Sequence, residues 1–378
     1  MKLRSCLSLA AISLIFLAGR VESSRRPRYG GILRMEIGAT VSSLDPETAS
    51  GSVDEADAKK QIEALIYDVS EPTKTSELAG PFRISEWQPG KLLTLAANED
   101  YRGGRPFADA IEIQMGRTPR DREVDLELNK IDFAEIPPEQ ARRAAERGIR
   151  VSASKPDELL ALFFVPGRPA AEDARVREAI ERSVDRASIV NFILQRGGEE
   201  AGGLLPQWSS GTAFLFPAAA DTPHAKEIWQ QITPSPKILL GYDSGDSLEQ
   251  SVAERIAVNA REAGIGLTVQ AIGASDAGAV DARLIRWRMT SPHPREALAG
   301  LQHELMTLGM ADPGPIAEKA SPQQAFEREQ LILSGYRVAP LVWLPQVYGL
   351  SARVRDWQAP EPGAGWPLAD VWLEGNSQ

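Results

Sequence analysis

Three histidines, His224, His293 and His303, are the side chains here best suited to move a proton near neutral pH, and each can bind a metal. None stands three or four residues from another, so the helical histidine pair of a zinc site is absent. A Ser–His–Asp hydrolase of the common α/β type would carry a Gly-x-Ser-x-Gly turn, and the chain has none. It also lacks Gly-x-Gly-x-x-Gly and the phosphate-loop pattern, which argues against nucleotide chemistry. The only cysteine, Cys6, can form neither an internal disulfide nor a cysteine metal site. Two charged clusters remain. Asp54-Glu55-Ala56-Asp57 reads as a solvated acidic helix start, because carboxylates suit the positive end of a helix. Glu181, Arg182, Asp185 and Arg186 read as a solvated helical face. Neither a catalytic set nor a metal set emerges, so no enzyme activity and no cofactor are expected.

The 378 residues suggest two to three domains and leave ample material for a core. Hydrophobic residues at 43% and charged residues at 25% are ordinary globular values. The formal charge of −10, with no block of basic residues, excludes a typical nucleic-acid binder, since phosphate contacts need clustered Lys and Arg. Lys2 and Arg4 precede the apolar stretch Leu7–Gly19, the pattern of a secretory signal peptide over residues 1–23. That stretch is short beside the about 20 residues a membrane span needs. Arg20 stands where a lipoprotein would place its cysteine. The expected product is exported, unlipidated and free of cysteine.

The elements that would position any site follow from periodicity. Ile32–Ile37 and Ile111–Met115 alternate as strands, and Ala56–Tyr67 has helical spacing. Phe82–Trp87 and Leu92–Ala97 form a hairpin across Gln88-Pro89-Gly90. Asp173–Leu194 reads as two helices, with Asp185 as the N-cap of the second. Residues 237–272 read as strand–helix–strand, with Gly264 at the helix end and a parallel pair expected. Ala282–Trp287 is a third strand, Ala325–Leu333 a helix and Pro340–Gly349 one strand-like run.

Several stretches, in order, resemble the extracytoplasmic solute-binding proteins of ABC importers, the group that binds dipeptides, oligopeptides and nickel complexes. They are Gly30–Arg34, Ser43–Pro46, Gly80–Pro89, Asn98–Pro106, Asp173–Val190, residues 248–272, Arg286-Trp287 and Pro340 through Trp372. The chain departs from that pattern twice. Only Glu47–Ala79 stands where the family carries an extra subdomain. The loop Thr290–His293 also lacks the family's ammonium-binding aspartate.

The resemblance implies a two-lobed α/β fold of the type II periplasmic binding kind, with a hinge and an interlobe cleft. It implies lobe one from 28–165 plus 338–378 and lobe two from 166–337, with hinge crossings near Phe163–Val165 and Pro340–Trp343. It also implies a monomer in the periplasm that closes on a small or peptide-like solute and hands it to an ABC permease in the membrane. The alternative is an exported sensor or protein-interaction module on a degenerate scaffold. Ligands in parallel α/β sheets lie beyond the carboxyl ends of strands. That rule selects Tyr242, Trp287, Thr290 and His293, and the resemblance adds Ser43 and Trp208. With arginines at 286 and 288 and no acid before Glu296, free peptides are expected to bind poorly. A neutral or anionic solute stacked on Trp287 or Trp208 and hydrogen-bonded by Thr290 is expected to bind better.

Overall fold

The computed structural model describes residues 26–45, 47–48, 53–67, 79–210, 216–273, 276, 278–317 and 321–375. The expected signal peptide, residues 1–23, lies outside them. Among the described residues no helix is long and apolar enough to cross a membrane.

Two mixed sheets organise the chain. The first has seven strands in the spatial order Phe82–Gln88, Leu92–Ala97, Ala110–Gln114, Ile32–Glu36, Phe133–Ile136, Val347–Leu350 and Arg150–Ala153. Its central strand Ile32–Glu36 runs parallel to both neighbours and is framed by antiparallel pairs. The helix Val53–Ile66 covers this sheet through Ala58, Ile62, Leu65 and Ile66, which join Leu33, Met35 and Phe133 in one core. The helical spacing over residues 56–67 therefore marks the face that is buried.

The second sheet has six strands in the order Leu267–Ile272, Ile238–Asp243, Ala282–Arg288, Glu158–Phe164, Val338–Leu344 and Glu199–Glu200. The expected strand–helix–strand unit is its outer part. Ile238–Asp243 pairs in parallel with Leu267–Ile272 across the helix Ser247–Glu262. Asp246 caps that helix by accepting from the Leu248 and Glu249 amides, and Gly264 ends it at φ +79°, where a Cβ would be strained. Each face of this sheet has its own core. Leu160 and Leu162 pack with Val176, Ile180, Val252 and Ile256, while Leu159 and Phe163 pack with Leu298, Leu301 and Trp343.

Three readings change. The run Pro340–Gly349 is two strands, not one: Val338–Leu344 lies in the second sheet and Val347–Leu350 in the first. The chain therefore changes sheets at residues 154–157 and at Pro345-Gln346, whereas Phe163–Val165 and Pro340–Trp343 run through or end strands of the second sheet. The sheets place 158–164 and 338–344 with 166–337, which moves the expected lobe limits by about seven residues at each crossing. The apolar run 159–165 looks the same in either sheet, so composition alone could not assign it.

Arg186 is the third change. It is 1% exposed rather than solvated. Its Nε donates to the Pro340 carbonyl at 2.7 Å and its Nη2 to Glu181 at 2.6 Å. A guanidinium forks to several acceptors at once, which makes the burial tolerable and fixes this helix to the strand Val338–Leu344.

Candidate functional site

The two sheets meet where the strand Ala282–Arg288 ends. Alternation puts Arg286 and Arg288 on one side of that strand and Trp287 on the other. The antiparallel neighbour begins at Glu158, which lies directly opposite Arg288. Glu158 is 6% exposed and sits between the two guanidiniums: Arg286 donates to Oε1, and Arg288 Nη2 donates to Oε2 at 2.5 Å. Arg286 Nη1 also reaches Asp246, the N-cap of Ser247–Glu262, at 2.6 Å. Arg288 Nη1 reaches Asp57 at 2.5 Å, and Asp57 belongs to the first lobe's helix Val53–Ile66. The result is a chain of alternating charges, Asp246–Arg286–Glu158–Arg288–Asp57, with one more acid than base.

Environment sets the protonation of this group. Burial raises the Glu158 pKa, but Arg286 and Arg288 overcome that and bring it down to about 2. The two guanidiniums are held above their ordinary value, the carboxylates outweighing burial. Next in the chain, Asp157 is fully buried. Burial pushes its carboxyl up to about 7, against the hydrogen bond from Gln346 Nε2 at 2.7 Å. The Tyr348 hydroxyl donates to Gln346 Oε1 at 2.6 Å, which fixes the amide between the two crossings. From the first lobe Glu139 comes close enough to feel Asp246 and Arg286, and burial raises its carboxyl too.

Of the residues selected from sequence, Trp208 is bound most firmly to the crossings. Its indole N–H donates to the Pro156 carbonyl at 2.8 Å, and Lys155 Nζ lies 5.2 Å from its ring centroid. Ser209 beside it donates to the Pro292 carbonyl at 3.1 Å, so the short helix Gln207–Ser210 and the loop Thr290–His293 are joined. Thr290 and His293 are exposed. Trp287 is 8% exposed and packs edge-on to Trp343 at 6.4 Å between centroids, so its ring is in the core. Tyr242 packs against the other core of the second sheet. Ser43 accepts from the Asp45 amide at 3.2 Å in its own turn. The positive field expected around 286–288 is met by Glu158, Asp246 and Asp57, which removes the charge argument for an anionic solute.

Sequence reasoning missed Glu158, Asp157 and the role of Asp57. Asp157-Glu158 heads the apolar run Leu159–Val165, and an acid opening a wholly buried strand is a signal for a buried ion pair. Asp57 pairs with Arg288, where its sequence context predicts only a solvated helix start. A surface cavity of about 580 Å³ on the second lobe, lined by Pro166, Met310, Asp312 and Arg337 among others, shares no residue with this network.

The loop before Trp208 hangs on another buried acid. Glu329 is 3% exposed and accepts from the Leu204 amide at 2.7 Å and the Leu205 amide at 3.1 Å. Burial pushes its carboxyl up to about 7. An acid whose pKa is higher folded than unfolded loses stability as pH rises from the unfolded value to the folded one. This group's contribution therefore falls between about pH 4.5 and 7 and is level above that. Urea unfolding at pH 5 and pH 8 checks this: Glu329→Gln should lose less stability over that interval than the wild type, by up to about 3 kcal/mol. Equal losses would contradict the assignment.

Comparisons with known proteins agree with the architecture. Residues 49–305 match the family described as bacterial extracellular solute-binding proteins, family 5, middle region. The chain is 27% identical over 164 residues to the probable D,D-dipeptide-binding periplasmic protein DdpA of Escherichia coli, covering 43% of this chain and 32% of that one. It is 26% identical over 146 residues to the oligopeptide-binding protein AppA of Bacillus subtilis, covering 38% and 26%. The match thus spans about a third or less of these curated relatives. Among solved structures, the periplasmic binding protein DppA of Helicobacter pylori, in complex with the peptide STSA, superposes with a TM-score of 0.70 at 14% identity, covering 92% of this chain and 99% of that one.

Proposed function

Since the chain belongs to family 5 of the bacterial extracellular solute-binding proteins, we propose that it captures a small solute between its lobes and delivers it to an ABC permease. The observation that carries this reading is the arrangement of two sheets with separate cores, the chain crossing between them at residues 154–157 and at Pro345-Gln346, with polar and charged residues where they face each other. Such a linkage permits hinge closure, and a solute that binds the closed form better drives it. The site of action is extracytoplasmic, and the protein acts as a monomer without catalysing a reaction.

Trp208, Thr290 and His293 are the proposed solute contacts. Tyr242 and Trp287 support them from the core, and Ser43 shapes the first-lobe loop. The charge chain has three carboxylates to two guanidiniums. That balance favours a solute bearing an ammonium over an anion, which suits a peptide-like ligand. Calorimetric titration with dipeptides and their N-acetylated forms tests it. Free peptides should bind at least about tenfold more tightly, since a buried charge left unpaired is costly. Equal affinity for both forms, or preference for dicarboxylates, would refute the ammonium reading. No heat with any small solute would favour a sensor or interaction module on the same scaffold.

A further inference from the structure

The charge chain contains one link that differs from the others. Glu158, Arg286, Arg288 and Asp246 all belong to the second lobe, but Asp57 comes from the first. Asp57 lies on the helix whose Ala58, Ile62 and Leu65 are set in the first-lobe core. Arg288 ends the strand Ala282–Arg288 and stands between Trp287 and Met289, both set in the second-lobe core. Glu158 already holds Arg288 from within its own sheet, so the guanidinium is pre-positioned when Asp57 meets it. The Asp57–Arg288 contact thus joins the two sheets' elements across 231 positions of sequence.

We propose that Asp57 and Arg288 form an interlobe latch that holds the solute-free protein closed. The side chains are 32% and 29% exposed, so salt reaches and weakens the pair. The latch gives a use to Asp57 of the acidic helix start. It would set the open population available to an incoming solute, and with it the capture rate.

The test measures lobe distance with no solute present, so it is separate from the uptake reading. Leu128 and Phe192 are exposed at 59% and 74%, one on each lobe, and Cys6 is the only native cysteine. Leu128→Cys and Phe192→Cys in a Cys6→Ser background accept paired spin or fluorescence labels. Asp57→Asn should lower the closed-to-open ratio about fivefold, the scale of one partly exposed ion pair. Asp57→Glu should restore much of it. Raising salt from about 0.05 to about 1 M should open the otherwise unaltered labelled protein in the same direction. Superimposable distance distributions for Asp57→Asn and the parent, together with no salt response, would overturn the latch. If Asp57→Asn fails to fold, the salt titration alone decides. Binding of no solute would refute the uptake reading and leave this result standing.

Discussion

Glu158→Gln is expected to destabilise the protein by about 2 kcal/mol, because the carboxylate is buried whereas its two guanidinium partners are about a third exposed. The glutamine keeps the shape and one acceptor but not the charge. Arg286 and Arg288 would then face each other across a neutral amide, with Asp246 and Asp57 as their remaining acidic hydrogen-bond partners. Glu158 itself is almost fully buried, so water cannot take over its role. The penalty belongs to breaking the set rather than to the worth of the set as a whole. Replacing all three with apolar residues, Glu158→Leu, Arg286→Met and Arg288→Met, should therefore recover much of the loss. Urea unfolding of both variants separates the two effects. A loss below about 1 kcal/mol for the single variant would mean that the network is solvated. The same carboxylate carries an acid signature. Its folded pKa of about 2 lies below its unfolded value, so its stabilisation is complete above about pH 4.5 and is lost as pH falls toward 2.

Gly363→Ala is expected to be the most damaging alanine substitution at a glycine with positive φ. Gly363 has φ +77°, which costs a residue with a Cβ about 1 kcal/mol. A Cβ built there would also overlap the Thr290 carbonyl, with the carbonyl carbon only 2.6 Å away. No rotamer relieves that overlap, because a Cβ is fixed by its own backbone and meets the backbone of Thr290. Thr290 follows the strand Ala282–Arg288 of the second lobe, while Gly363 lies in the tail packed on the first through Trp366 and Leu368. The clash must move the tail or part the lobes. A total cost above about 2 kcal/mol is expected, combining the conformational term with overpacking. Gly104→Ala is the control: φ is +94° and no atom lies within 4 Å of the added Cβ, so only the conformational term applies. Equal losses for the two variants by denaturant unfolding would show that the tail yields freely.

The fold was legible where a local signal matched a tertiary need. Ile238–Ile272 declared itself because a short apolar strand, an amphipathic helix with Asp246 at its start and Gly264 at its end all agree. The sheet membership of Glu158–Phe164 and Val338–Leu344 was not legible, since a strand buried on both faces carries no mark of its neighbours. The same holds where the two sheets meet: the ion pairs there span 40 to 231 residues of sequence. Arg286 and Arg288 read as a positive patch only while their partners, Glu158, Asp246 and Asp57, stay unassigned. Arg186 misled for the same reason: its acceptor Pro340 is 154 residues away.

Mass spectrometry of the protein purified natively from its own compartment, and then denatured to release what it carries, tests the central claim most directly. A folded two-lobed solute-binding protein should release a small molecule in near-stoichiometric amount, and that molecule should carry a free ammonium group. A correctly folded protein that releases nothing in stoichiometric amount, and whose melting is unmoved by the low-mass extract of that compartment, would contradict solute capture.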